Sequence, residues 1–165
     1  MASITLGGNP TQTNGELPKN GTQSPDFTLL RNDLSQVSLS DYKGQRLILN
    51  IFPSVDTGVC ATSIRTFNKK AATLDNTKVL CISRDLPFAQ ARFCGAEGIE
   101  NVETLSDFNT GQFGNDYGVT IGDGAFTGLH ARAIVVLDEN GTVQHTEQVP
   151  EVGQEPNYEA AINAL

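Results

Sequence analysis

The segment that ends at Cys60 constrains the fold most, because it orders a strand, a break and a helix start in direct succession. Residues 47–52 form an apolar run typical of a buried strand, and Pro53 cannot continue a sheet ladder. Asp56 and Thr57 both suit the N-cap of a helix that would carry Cys60 in its first turn. There the thiol faces unpaired backbone N–H groups and the positive end of the helix dipole, which favour a thiolate. The segment therefore predicts a reactive cysteine; the alternative is a small buried apolar residue, as for most intracellular cysteines.

Strands and helices alternate beyond this segment, which predicts an α/β fold with a sheet flanked by helices. Right-handed βαβ connections bring the start of each helix to the carboxyl edge of the sheet, where such folds usually keep their chemistry. The elements expected after residue 57 are helices at about 58–73, from 87 to near Gly95 or Gly98, 111–117 and 158–165, and strands at 78–83, 102–106, 131–137 and 142–146. Short extended segments are expected near 4–6, 26–30 and 37–39. No linker divides residues 1–165, so a single domain is expected.

The composition limits the compartment and the partners. Eleven Lys and Arg against nineteen Asp and Glu give a net charge of −8, which argues against nucleic acid or an anionic membrane as the partner. No apolar run approaches membrane-spanning length, and the first residues lack the basic and apolar regions of a signal peptide. Three cysteines are not the pattern of a disulfide scaffold. We therefore expect a cytoplasmic protein.

Metal and nucleotide sites find little support in the sequence. His130 and His145 are the only histidines, and neither has a ligand at metal spacing. The Gly-rich residues 118–128 match no phosphate-binding loop, so a close approach or a mobile loop explains them better. There is no Cys-x-x-Cys pair for thioredoxin-type exchange. We expect neither a metal nor a cofactor.

The other two cysteines and two of the arginines differ in how strongly the sequence supports a functional role for them. Cys81 lies within an apolar strand and is expected in the core, whereas Cys94 lies on a helix near glycines that could let it unwind. A sulfenic acid at Cys60 would need a second thiol to condense with it, and Cys94 is the best candidate. Arg132 begins a predicted strand after the Gly-rich segment, and is either a solvated surface residue or part of a site. Arg65 is five residues beyond Cys60 and should point elsewhere.

At this point the sequence resembles a known family. Pro53, Thr57 and Cys60 match the peroxiredoxin signature Pro-x-x-x-Thr-x-x-Cys, placed as that signature requires between a strand and a helix. Residues 50–60 and 85–95 resemble the bacterial thiol peroxidases, which are the atypical two-cysteine subgroup of peroxiredoxins. The resemblance covers essentially the whole chain.

The resemblance implies a thioredoxin-like fold with a central mixed sheet and an N-terminal β-hairpin. It makes Cys60 the peroxidatic and Cys94 the resolving cysteine of an intrachain disulfide that thioredoxin reduces. Thr57 and Arg132 correspond to the polar partners of the site, and Pro53 shields its pocket. Family members are usually homodimers that reduce hydrogen peroxide and alkyl hydroperoxides.

Two other functions use the same residues. The cysteine pair could serve a non-enzymatic redox sensor whose disulfide switches partner binding. A thioredoxin-fold binding module with inert cysteines is the third alternative. One departure from the family is Ala125, where members often carry proline; it is expected to soften that loop without removing activity.

Overall fold

A computed structural model describes all 165 residues, and it divides the strands between two sheets. The first is an antiparallel hairpin of β1 and β2, and the second has seven strands in the order β4-β3-β7-β6-β5-β8-β9. The strands are β1 (Ser3–Leu6), β2 (Asn9–Gln12), β3 (Thr28–Leu30), β4 (Gln36–Ser38), β5 (Arg46–Ile51), β6 (Thr77–Ser83), β7 (Glu103–Ser106), β8 (Ala133–Leu137) and β9 (Val143–Gln148).

The centre of the large sheet is parallel and buried, as the apolar runs predict. β5, β6 and β7 run parallel, while β8 pairs antiparallel with β5 and makes the sheet mixed. Alternate β5 side chains enter two apolar layers: Leu47, Leu49 and Ile51 pack on one face, and Ile48 packs on the other with Cys60. A strand covered on both faces cannot shift its register by one residue without exchanging the two layers.

The helices place both candidate cysteines near one edge of the sheet. The helices are α1 (Gly58–Ala71), α2 (Pro87–Glu97), α3 (Gln112–Asp116) and α4 (Tyr158–Asn163), with one 3₁₀ turn at Leu39–Tyr42. α1 follows the carboxyl end of β5, and α2 follows the carboxyl end of β6. The Cys60 helix and the Cys94 helix therefore start side by side.

The predicted fold class is confirmed, with a mixed sheet, flanking helices and an N-terminal strand pair. The bounds differ where loops intervene: β8 begins at Ala133 because the residue at 131 bonds instead to the Gly-rich segment, Ala131 N donating to the Val119 carbonyl over 2.8 Å. Arg132 consequently lies just before the strand. No helix is both long enough and apolar enough to cross a membrane.

Candidate active site

Cys60 lies in the first turn of α1 and is fully buried. Thr57 occupies the N-cap position with an extended backbone, as the sequence predicts, but its hydroxyl does not cap the helix. It donates instead to the Ser54 carbonyl over 3.2 Å. The N–H groups of Gly58, Val59 and Cys60 therefore have no acceptor in the chain, and they point toward the start of the helix. This end of α1 is suited to an anionic sulfur or oxygen.

Arg132 reaches the same sulfur from a distant part of the chain. Its Nη2 donates to Cys60 Sγ over 3.1 Å, and its Nε donates to the Val152 carbonyl over 2.8 Å. The side chain is fully buried, and Nη1 has no partner. A buried donor without an acceptor is costly, so Nη1 is a natural contact for a substrate oxygen. The Arg132 guanidinium can therefore bond the Cys60 sulfur and a substrate oxygen at the same time.

A cavity of about 150 Å³ adjoins this cluster. It brings together Pro53, Thr57 and Arg132, three of the residues that the sequence singles out. The remaining walls are mostly apolar and come from β1, the first turn of α1 and two loops: Leu6, Gly58, Val59, Phe126, Val152 and Gly153. Its volume suits a small molecule with a polar end at Arg132 and an apolar end at Leu6 and Phe126. Larger cavities exist, but this is the one that meets the buried arginine.

Cys94 is not brought into contact with Cys60. It is half buried on α2 and lines a separate cavity of about 330 Å³, where its Sγ lies 3.5 Å from Thr104 Oγ1. All three cysteines are free thiols. Joining Cys94 to Cys60 therefore requires the helix to move or unwind.

Cys81 belongs to the core, as predicted. It is fully buried on β6, and burial raises the pKa of its thiol to about 12. The neighbouring Asn50 amide donates to the sulfur over 3.7 Å and opposes that shift only partly. A thiol held protonated in this way is inert as a nucleophile at neutral pH.

Asp85 organises the loop before Cys60 and was missed by the sequence reading. Its carboxylate accepts hydrogen bonds from Ser54 Oγ at 2.7 Å, Val55 N at 2.8 Å and Ser83 Oγ at 2.6 Å. It thereby ties the segment that follows β5 to the segment that precedes α2. The only local signal is its place two residues before Pro87, the first residue of α2.

A buried pair anchors the loop that leads to Arg132. His130 Nε2 lies 2.9 Å from Asp107 Oδ2, and both side chains are buried. The Asp107 carboxylate also accepts the N–H groups of Phe113 and Gly114, at 3.2 and 3.0 Å. His130 therefore has a structural contact, and the chain brings together no group of three or more His, Cys, Asp and Glu side chains placed to hold a metal ion.

The chain is similar over most of its length to proteins of known family. The sequence model of the Redoxin family matches residues 19–162. The curated thiol peroxidase of Mycobacterium tuberculosis (strain H37Rv) is 59% identical over 100% of this chain and 99% of its own. That of Corynebacterium glutamicum is 53% identical with the same coverage.

Solved structures agree on the fold. The peroxiredoxin-like protein from Aquifex aeolicus superposes with a TM-score of 0.93 and 37% identity, covering 99% of this chain and 95% of its own. The thiol peroxidase from Chromobacterium violaceum superposes with a TM-score of 0.91 over 98% of this chain and 93% of its own. Its 21% identity bears on the fold alone.

Proposed function

This chain belongs to the Redoxin family and, with its full-length relatives, to the bacterial thiol peroxidases, and from that premise we propose that Cys60 is the peroxidatic cysteine and Cys94 the resolving one. The protein is a thiol-dependent peroxidase that acts on hydroperoxides. The observation that carries the assignment to Cys60 is its 3.1 Å contact with the buried Arg132 guanidinium.

The first step is an attack of the Cys60 thiolate on the terminal oxygen of ROOH. The S–O bond forms as the O–O bond breaks, and RO⁻ takes a proton and leaves as water or an alcohol. The sulfur loses two electrons to the peroxide and becomes a sulfenic acid. Pro53 and the apolar walls keep water out while this occurs.

Ionisation alone does not supply the rate. A free thiol near pKa 8.5 is a few per cent thiolate at neutral pH, so full ionisation gains roughly 30-fold at most. Lower basicity also reduces nucleophilicity. The larger contribution is stabilisation of the charge that develops on the departing oxygen. Arg132 Nη1 and the unpaired N–H of Cys60 are free to donate to it, and the Thr57 hydroxyl can donate once it rotates away from the Ser54 carbonyl.

The second step is an attack of Cys94 on the Cys60 sulfenic acid. The S–S bond forms as the S–O bond breaks, and hydroxide leaves with a proton as water. Cys94 lines a cavity that Cys60 does not reach, and Cys60 is fully buried beside Arg132, so this step follows a rearrangement of α2. Closing the intervening loop of residues 60–94 would stabilise the folded protein by at most about 4 kcal/mol in the chain-entropy model.

The finer partners are part of the proposal. Thioredoxin reduces the disulfide by thiol exchange, and the protein works in a reducing cytoplasm, since three cysteines are not the pattern of a disulfide scaffold. The protein works on hydrogen peroxide and alkyl hydroperoxides, the latter matched to Leu6 and Phe126 at the apolar end of the cavity. It is a homodimer, and Leu86 and Phe88, which are exposed at the start of α2, offer apolar surface for a second copy.

Turnover separates this proposal from a redox sensor, which the relatives named thiol peroxidase do not favour. With thioredoxin, its reductase and excess NADPH, catalytic amounts of the protein should consume many equivalents of peroxide. Cys60→Ser should abolish consumption, and Cys81→Ser should leave it nearly unchanged. Normal turnover by Cys60→Ser would disprove the assignment. Oxidation that stops after one equivalent in the wild type would favour the sensor.

A further inference from the structure

The half of α2 that carries Cys94 buries few side chains against the rest of the protein. Gln90 anchors the first half, donating its side-chain amide to Ser83 Oγ at 3.1 Å and to the Leu105 carbonyl at 2.8 Å. Beyond Gln90, Phe93 is the only buried residue of the helix. The last turn contains no basic residue to balance the helix dipole, although Gly98, in the left-handed conformation, caps the helix by donating its N–H to the Cys94 carbonyl.

Two ion pairs bind this half of α2 to the Cys60 side of the molecule. Arg92 Nη2 lies 2.8 Å from Asp56 Oδ1, in the loop before α1. Arg65, on α1, holds Glu97 with two contacts: Nη2 to Oε1 at 2.7 Å and Nε to Oε2 at 3.2 Å. The two pairs flank Cys94 in the sequence, so both must break or stretch when it leaves its cavity.

The Phe93 ring, which lies between the two ion-paired residues of α2 in the sequence, also contacts Arg65. The Arg65 guanidinium carbon lies 5.9 Å from the centroid of the Phe93 ring, within the range of a cation–π contact. Arg65 thus touches both the buried residue and the last residue of the segment that carries Cys94. Neither Arg65 nor Arg92 contacts the cavity beside Cys60.

We propose that Arg65 and Arg92 are positioning residues, whose ion pairs hold the Cys94 half of α2 closed and so set the rate at which Cys94 reaches the Cys60 sulfenic acid. The inference rests on the proposed function, in which that thiol must travel. The Cys94 half of α2 must open before Cys94 can attack the Cys60 sulfenic acid. The rate of disulfide formation is therefore proportional to the fraction of molecules in which this half of the helix is open. A slower resolution leaves more time for a second peroxide to carry Cys60 to the sulfinic acid.

The expected change in the resolution rate follows from the solvent exposure of the ion-paired side chains. All four charged side chains are at least one-third exposed, and exposed pairs are individually weak. Loss of either pair should speed resolution about 1.5- to 5-fold, with the bidentate Arg65–Glu97 pair at the upper end. Salt should produce part of the same effect in the wild type, because it screens both pairs.

The test compares Arg92→Gln, Glu97→Gln and the double variant with the wild type. Each is reduced, mixed with one equivalent of hydrogen peroxide, quenched with acid at successive times and alkylated, because the chain has no tryptophan to report the reaction by fluorescence. Mass spectrometry then gives the rate of Cys60–Cys94 disulfide formation. A second series at excess peroxide gives the fraction of Cys60 sulfinic acid. We expect faster resolution, less sulfinic acid and a weaker salt dependence in the double variant.

The matched control is Glu159→Gln, which breaks the Lys70–Glu159 pair between α1 and α4, also at 2.7 Å and also exposed. It should resolve at the wild-type rate. A double variant that resolves at the wild-type rate, with wild-type salt dependence, would overturn the inference. Failure of the wild type to form the Cys60–Cys94 disulfide at all would instead overturn the proposed function.

Discussion

The Arg132 guanidinium donates a hydrogen bond to Cys60 Sγ over 3.1 Å, although the two residues are 72 positions apart in the chain. The antiparallel pairing of β8 with β5 makes the contact possible, because Ala133 lies opposite Ile51 and the residue before Ala133 reaches the start of α1. The Val152 carbonyl fixes the other side of the guanidinium. The pairing of two strands thus sets the electrostatics of a helix start.

Replacing Arg132 should slow the peroxide step more than it destabilises the fold. Arg132→Lys keeps the charge but loses the planar fork that bonds the Val152 carbonyl through Nε and the sulfur through Nη2. We expect the second-order rate constant for hydrogen peroxide to fall about 100- to 1000-fold, the usual effect of removing a transition-state donor. Competition with catalase at limiting peroxide measures it. A loss below about threefold would contradict the role given to Arg132.

The Thr57 hydroxyl should contribute through hydrogen bonding rather than shape. Thr57→Val keeps the branched side chain and removes the donor, and should slow Cys60 oxidation by about 10-fold or more. Thr57→Ser keeps the hydroxyl and should stay within about threefold of the wild type. Rapid-quench measurement of sulfenic acid formation distinguishes the two. Equal rates for the Val and Ser variants would exclude the hydroxyl from the reaction.

Loss of Cys94 should separate the two halves of the cycle. Cys94→Ser should consume one equivalent of peroxide at close to the wild-type rate and then stop, because nothing resolves the sulfenic acid. At excess peroxide it should accumulate Cys60 sulfinic acid. Peroxide titration with mass spectrometry checks both outcomes. Sustained thioredoxin-dependent turnover by this variant would assign resolution to another thiol.

Glu151 should keep the β1–β2 hairpin bound to the loop at Glu151–Gly153 even at acidic pH. Its carboxylate accepts the N–H groups of Gly153 at 2.7 Å and Gly8 at 2.8 Å, and these bonds lower its pKa to about 2. A pKa below that of the unfolded chain means that the stabilisation is present above about pH 4.5 and is lost as the pH falls toward 2. The Gly8 and Gly153 amide chemical shifts should therefore stay constant from pH 6 to 3.5. Titration of both with a midpoint near 4.5 would contradict this assignment.

Local signals predicted the elements that carry the chemistry but not their contacts. The run at 47–52, Pro53 and the helix start at Thr57 are all visible in adjacent residues, so the place of Cys60 could be derived directly. Helix spacing also predicted that Arg65 points away from Cys60. It could not predict the ion pair with Glu97, because Glu97 lies on another helix. Side-chain direction is a local property, whereas an ion-pair partner depends on packing.

The rest of the site depends on tertiary structure. Arg132 gained its role from resemblance to a family, because no periodicity links it to Cys60. Leu6 reaches the cavity because backbone hydrogen bonds of Thr5 and the Glu151 carboxylate tie β1 to a loop near the other end of the chain. Phe126 lies in the Gly-rich segment, whose path is set by the pairing of Thr120 with His130 and by the buried Asp107.

The disulfide itself gives the most direct test of the proposed chemistry. Trypsin separates the three cysteines, since Cys60 falls in residues 47–65, Cys81 in 79–84 and Cys94 in 93–132. The reduced protein is treated with one equivalent of hydrogen peroxide, denatured, alkylated and digested. We predict that peptide 47–65 is joined to peptide 93–132 in nearly all molecules, with Cys81 alkylated. Free Cys94 beside an oxidised Cys60, or Cys60 joined to any other thiol, would contradict the account.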